Sequence, residues 1–296
     1  MKLKIGSKGD VVKQIQKELN LNILDGVFGP KTEEAVKKFQ IENNLKPTGE
    51  VSISLLNMIL EGDFTTDIKE SNDSDLIFQK YWLNSDEYSR SKTAKGYIFL
   101  HHTAGNHNPY NTIDIWERDD RGAIATEFVI GGCSLNGSDD YNGQIVQAFP
   151  EGHWAYHLGG VDRHMHYHSI GIELCNFGPL KEKRGSFYTI YGHKVEPKYV
   201  TDLGYKFRGS RFYHSYTDEQ IEACRKLIMF INKRDNVDIT KGIPEFLKTM
   251  SDVDSFEYMD RAVRGLIPGI LSHTNVREDK SDIYPDPKLI EMLRNL

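Results

Sequence analysis

The sequence predicts a mixed α/β domain, with a central β-sheet flanked by helices, preceded by a small three-helix domain. Three observations predict it. Short apolar runs at Tyr97–Leu100, Ser169–Leu174 and Ile270–Leu271 suit strands buried within a sheet. Amphipathic helical spacing recurs between them, most clearly after Thr217. The first sixty residues show helical spacing alone, punctuated by Gly and Pro turns. At 296 residues the chain has room for one large domain and one small one. The expected division is a three-helix domain over residues 1–62, a linker over 63–78 and a large domain over 79–296.

The small domain comes first. Val11, Ile15 and Leu19 recur at i, i+4 and i+8 and predict a short helix. Asp25-Gly26-Val27-Phe28-Gly29-Pro30 is a tight turn, and Pro30 sits where a helix start tolerates it. The helix that follows is expected to bury Ala35, Val36 and Phe39, and a third runs over residues 51–60. Residues 61–78 are polar, acidic and rich in Ser, Asn and Asp, the composition of a flexible linker.

In the large domain, a helix or turn is expected over residues 79–90, then the strand Tyr97–His102 and a helix over 110–118. Further strands are expected at residues 126–131, 144–149 and 169–174. The last of these embeds one carboxylate, Glu173, which fits either a structural salt bridge or a tuned general base. Residues 177–216 are aromatic and basic, suited to line a groove or to cover the sheet. Thr217 caps a helix whose stripe is Ile221, Cys224, Ile228 and Ile231. A further helical pattern lies within residues 236–269.

Composition narrows the function classes. The chain is 39% hydrophobic and 27% charged with net charge −6, and no long Lys/Arg block points to nucleic acid. No run approaches the roughly 20 apolar residues of a membrane span, and no apolar core follows the first lysines as in a signal peptide. Three scattered cysteines, Cys133, Cys175 and Cys224, form no metal-type pair and are expected as free thiols. The chain is therefore expected to be made and folded in a cytoplasm, without membrane insertion.

Chemistry concentrates at strand ends. Tyr97-Ile98-Phe99-Leu100 runs into His101-His102-Thr103, and Ile270-Leu271-Ser272 runs into His273. Such a pair can simply cap a strand. It can also deliver two aimed imidazoles to one sheet rim, where a carboxylate would complete the three-ligand, one-open-position pattern of catalytic zinc. Zinc can polarise a carbonyl and lower the pKa of water.

Two resemblances follow from these motifs. Gly9-Asp10-Val11, Asp25-Gly26-Val27-Phe28-Gly29, Thr32 and Ala35-Val36-Lys37-Lys38-Phe39-Gln40 resemble the three-helix peptidoglycan-binding module over about residues 5–60. This implies peptidoglycan as partner and a wall-anchoring role. Phe99–Gly105, Thr126–Ile130, Asn142–Ile145, Trp154–Gly159, Ser169–Leu174, Ser272-His273 and Lys280-Ser281-Asp282 are similar, in order, to the type-2 zinc-dependent N-acetylmuramoyl-L-alanine amidases. That fold is T7 lysozyme-like and is shared with peptidoglycan recognition proteins.

The resemblance implies Zn2+ held by His101, His273 and Asp282, with Asp286 the alternative third ligand. It implies Glu173 as the general base and Lys280 as the oxyanion-stabilising cation. His102, which alternation turns to the other side of the strand, joins Thr103, Glu127 and His157 as expected substrate-binding residues. Glu127 departs from the family pattern and is expected either near the site or facing solvent. His164, His166 and His168 are expected to be surface or hydrogen-bonded residues. The implied function is cleavage of the amide between N-acetylmuramic acid and L-alanine. A phage endolysin, monomeric and held in the host cytoplasm until lysis, fits best. The alternatives are a non-catalytic recognition protein and a bacterial autolysin or recycling amidase.

Overall fold

The computed structural model describes the chain except for residues 1–2, 44, 46, 52, 62–75, 77 and 138. The chain divides into two compact units, residues 1–75 and 76–296.

The first unit contains α1 (Asp10–Glu18), α2 (Pro30–Glu42) and α3 (Ile53–Glu61). Its core holds Val12, Ile15, Phe28, Val36, Leu55, Met58 and Ile59. In α1 the buried positions are Val12, Ile15 and Gln16, while Val11 and Leu19 are half-buried. The expected stripe is thus rotated, because Gln16 turns inward to satisfy a loop. Gln16 Oε1 accepts from Gly26 N, and its Nε2 donates to Asp25 Oδ1 and the Val27 carbonyl. Gln40 does the same for the next loop, accepting from Gly49 N and donating to Thr48 Oγ1 and the Glu50 carbonyl. Two buried amides thus pin two glycine turns, which explains why polar side chains sit in a small apolar core. Gly26 needs its freedom: φ is +68° and a Cβ would lie 3.1 Å from the Gly9 carbonyl oxygen.

In the second unit, β1 (Gln79–Lys80), β2 (Tyr97–His102), β3 (Phe128–Ile130), β4 (Ile145–Gln147), β5 (Ser169–Leu174) and β11 (Gly269–Ser272) form one sheet. Its order is β1-β4-β3-β5-β2-β11. The neighbours β11, β2, β5 and β3 run parallel, and β3 pairs antiparallel with β4. Strand β1 stands where the sequence suggested a helix or turn. Most of the expected linker lies outside the described residues, but Leu76 and Phe78 from its end pack against the core. The second unit therefore begins before residue 79.

The helices described in this unit are α4 (Pro109–Trp116), α5 (Arg163–Tyr167), α6 (Asp218–Asp235), α7 (Ile243–Thr249), α8 (Asp260–Val263), α9 (His273–Val276) and α10 (Pro287–Arg294). Thr217 caps α6 by accepting from Gln220 N, and Ile221, Cys224, Ile228 and Ile231 are buried as the stripe predicts. All three cysteines are free and buried. No helix among the described residues is long and apolar enough to cross a membrane.

Residues 177–216 fold into a second sheet. Strands β6 (Pro179–Lys183), β7 (Ser186–Thr189), β8 (Lys194–Val195), β9 (Val200–Phe207) and β10 (Ser210–His214) run in the order β8-β7-β6-β10-β9, all neighbours antiparallel.

Candidate metal centre and active site

Parallel strands end at the same edge of a sheet, and open α/β sheets place their sites at that carboxyl edge. Here β11, β2 and β5 lie side by side, with Ser272 level with Leu100 and His101 level with Glu173. The residue after Ser272, His273, therefore arrives beside His101. Two strand-exit histidines far apart in sequence meet because their strands are neighbours.

Three side chains converge at this rim. His101 Nδ1 lies 3.2 Å from His273 Nδ1 and 3.3 Å from Asp282 Oδ2, and His273 Nδ1 lies 2.9 Å from the same oxygen. Among the described residues this is the cluster that could hold a metal ion. Zinc bonds of 2.0–2.1 Å in a tetrahedron put ligand atoms about 3.3 Å apart. The observed triangle fits that edge, and its chemistry of two imidazoles and one carboxylate fits zinc.

Holding an ion would require one arrangement of protons in this cluster, and the surrounding partners can supply it. Ser169 Oγ can donate to the His166 carbonyl at 3.4 Å and accept from His157 Nε2–H at 2.8 Å. His157 Nδ1 is then the bare nitrogen that accepts from His101 Nε2–H at 3.0 Å. With its proton on Nε2, His101 turns a lone pair at Nδ1 toward the cluster, as a metal ligand must. Burial, only partly offset by the carboxylate of Asp282 beside it, brings the His101 pKa down to about 4 and keeps the ring neutral. Burial alone would raise the Asp282 pKa, but the close approach of the His101 and His273 rings outweighs it and holds the carboxyl well below its usual range.

Strand β5 is patterned for this rim. Ser169, Gly171 and Glu173 alternate onto one face, while Ile170, Ile172 and Leu174 take the other. Ser169 anchors His157. Gly171 makes room for it, since a Cβ there would lie 3.1 Å from His157 Nδ1 and 2.6 Å from Thr126 Cγ2. Glu173 stands level with His101, and burial, with the neighbouring negative charge of Asp282, pushes its pKa well above the usual carboxylate range. Lys280 is half-buried, and its charge bears on both Glu173 and His101. Its side chain has no hydrogen bond or ion pair among the described residues.

Two backbone devices aim the other two side chains of the cluster. Before His273, Ser272 and Asn275 bond reciprocally, and Asn275 Nδ2 donates to the carbonyls of Ser255 and Glu257. After Asp282, buried Ile283 adopts φ +63°, a costly conformation for a β-branched residue. Its N–H donates to His102 Nδ1 at 3.1 Å, which also meets Tyr216 Oη at 2.9 Å.

Each of the four residues expected to bind substrate has hydrogen-bond partners within the protein. His102 is buried on the opposite face and holds the turn after Asp282. Glu127 is neither beside the site nor in solvent: it is 1% exposed and bound to Arg234 Nη1 at 2.8 Å and Gln147 Nε2 at 3.0 Å. Thr103 spends its hydroxyl on Asn176 O, Asn176 N and Gly105 N, which exhausts its donor and two acceptor positions. His157 has both nitrogens occupied behind His101. Asp286 is the N-cap of α10, accepting from Lys288 N, Leu289 N, Tyr284 Oη and Thr201 Oγ1, so Asp282 is the carboxylate that faces the histidines. Sequence reasoning missed Ser169, Gly171 and Asn275; the period-two spacing of Ser169, Gly171 and Glu173 was the readable signal.

Two family models match the chain: a peptidoglycan-binding domain over residues 8–59, and N-acetylmuramoyl-L-alanine amidase over residues 92–284. No curated protein matches it. Among solved structures the chain is similar to PlyL, at 10% identity and TM-score 0.39, over 70% of this chain and 86% of that one. It is similar to the amidase LysC from Clostridium intestinale URNW, at 15% identity and TM-score 0.38, over 74% of this chain and 97% of that one. The amidase AmiD from E. coli, solved with an anhydro-N-acetylmuramic acid peptide, has 20% identity and TM-score 0.32, over 51% of this chain and 48% of that one. At these TM-scores the family model, spanning well over half the sequence, carries the assignment. The chain belongs to the N-acetylmuramoyl-L-alanine amidase family of peptidoglycan hydrolases, with a peptidoglycan-binding domain ahead of its amidase domain.

Proposed function

We propose that the amidase domain is zinc-dependent, with His101, His273 and Asp282 as ligands, Glu173 as general base and Lys280 as oxyanion stabiliser. The observation that carries this reading is the convergence of Nδ1, Nδ1 and Oδ2 at tetrahedral spacing beside a carboxyl of raised proton affinity. Zinc, when bound, would polarise the scissile carbonyl and lower the pKa of water at the site. The carboxylate of Glu173, whose raised proton affinity makes it a stronger base, would take a proton from the attacking water and pass it to the leaving L-alanine amine. The ammonium of Lys280 would steady the negative charge that develops on the carbonyl oxygen. His157 and Ser169 would keep His101 in the metal-binding tautomer.

In the cell this chain would act as an endolysin, the N-terminal domain holding the amidase at the wall and raising its local concentration on a polymeric substrate. The pairing of the two matched families supports this role. The test is mass spectrometry of fragments released from purified peptidoglycan, with and without a chelator. Free peptides beginning with L-alanine, abolished by chelation and restored by zinc, are expected. Glu173→Gln should lower kcat by about 100-fold or more while zinc stays bound. Fragments cut elsewhere, or full activity in that variant, would overturn the assignment.

A further inference from the structure

The five-stranded sheet supplies none of His101, His273, Asp282, Glu173 and Lys280. Residues 177–216 carry eight Lys and Arg against three Asp and Glu, in a chain of net charge −6. The charge is also sorted by face. Residues directly opposite on an antiparallel ladder share a face. Leu180 lies opposite Thr189 and Phe187 opposite Val195; Leu180, Thr189 and Val195 are buried. On the other face Lys181 lies opposite Tyr188, and Tyr188 opposite Lys194. Lys183 follows two residues after Lys181, its ammonium 6.0 Å from the centre of the Tyr188 ring.

Lys181, Lys183 and Lys194 are exposed, as is Arg184 at the hairpin tip, and none has an ion pair among the described residues. The acids of the segment are engaged: Asp202 with Arg211, Glu196 with Lys198, and Glu182 with the Gly185 N–H.

We propose that this face docks a linear, phosphodiester-bearing polymer of the cell wall. Like charges left unpaired on one surface repel, and a polyanion relieves that repulsion while releasing its own counterions. The lysines are spread about 7 Å along one strand and about 10 Å across three, which matches an extended chain better than a small anion. Ammonium groups act as point charges toward phosphate, whereas carboxylates favour the forked guanidinium. Tyr188 offers a flat apolar surface among the charges for the polymer's backbone. The choice of a wall polymer rests on the proposed role at the wall.

The test is a calorimetric titration of the full chain with soluble poly(glycerol phosphate), in low and in high salt. Binding in low salt that is largely lost in high salt is expected. Lys181→Glu, Lys183→Glu and Lys194→Glu together should weaken it by about tenfold or more. An unchanged unfolding midpoint would show that the triple variant folds; if it does not fold, the pair Lys181→Gln and Lys194→Gln is read the same way. Absence of binding, or equal affinity in the variant, would overturn the proposal. So would equal or tighter charge-dependent binding to poly-γ-glutamate, RNA or phosphatidylglycerol vesicles. No bond is cut and no metal is added, so failure here leaves the amidase reading standing, and failure of chelator-sensitive cleavage would leave this result to be read separately.

Discussion

The two sheets of the second unit treat polar side chains in opposite ways. In the six-stranded sheet, strands buried on both faces lead most polar side chains to a protein partner. His102 meets Ile283 and Tyr216, Glu127 meets Arg234 and Gln147, and His157 bridges His101 and Ser169. The exceptions are His102 Nε2 and, at the rim, His273 Nε2, Glu173 and Lys280, which have no such partner among the described residues. In the five-stranded sheet one face is packed, with His214 buried and both its nitrogens unpartnered, and the other is open, its lysines left to solvent. A buried polar group without a partner is expensive, whereas an exposed one costs little. Partnerless charged groups at the rim of the first sheet therefore call for a role more than the exposed lysines of the second do.

This contrast can be broken at several points. Asp282→Ala removes the one carboxylate facing both histidines, and should cost more than the 10- to 100-fold in metal affinity typical of an outer-shell change, roughly 100-fold or more. Zinc competition against a chromophoric chelator measures it. Glu127→Ala should destabilise the domain by about 1.5–3 kcal/mol, because it removes one of the two carboxylates that pair with the largely buried Arg234 and leaves it Asp235 alone. Denaturant unfolding measures that loss, while zinc affinity of the folded fraction should hold.

Acid should act next, on buried histidines of both sheets. Burial brings His102 and His214, like His101, down to about 4 from the ordinary 6.5. The unfolded chain then takes up protons first as pH falls. The stability from each such ring is complete above about pH 6.5 and is lost progressively toward pH 4, on the order of 3 kcal/mol per independent ring. Unfolding midpoints of the metal-free protein between pH 7 and pH 4 test this, and a flat profile would contradict it. The smallest effect is expected at Ser169→Ala. Losing the anchor of His157 should weaken zinc binding by about tenfold and change the ring-nitrogen NMR shifts of His157. Unaltered shifts would remove the relay from the account.

Much of the fold was legible because burial writes itself into composition. Tyr97–Leu100 lacks alternation because both faces of β2 are covered, and the α6 stripe shows the period of a helix with one covered side. The two strand-exit histidines were legible for the same reason. The functions of His102, Thr103, Glu127 and His157 were not. Each was assigned to substrate by its place in a motif, yet each had its hydrogen bonds claimed by residues distant in the chain.

By itself, the sequence determined the strands that bear the site, the two-domain division and the residue types available at the carboxyl edge of the sheet. Tertiary structure alone decided which of them meet. Strand order put β11 beside β2, so that His273 reached His101. The strained turn at Ile283 selected Asp282 over Asp286, which the end of α10 had already taken. The reason is that register and capping are settled by long-range pairing, where each buried donor and acceptor is used once, and no local pattern records which distant partner claims it.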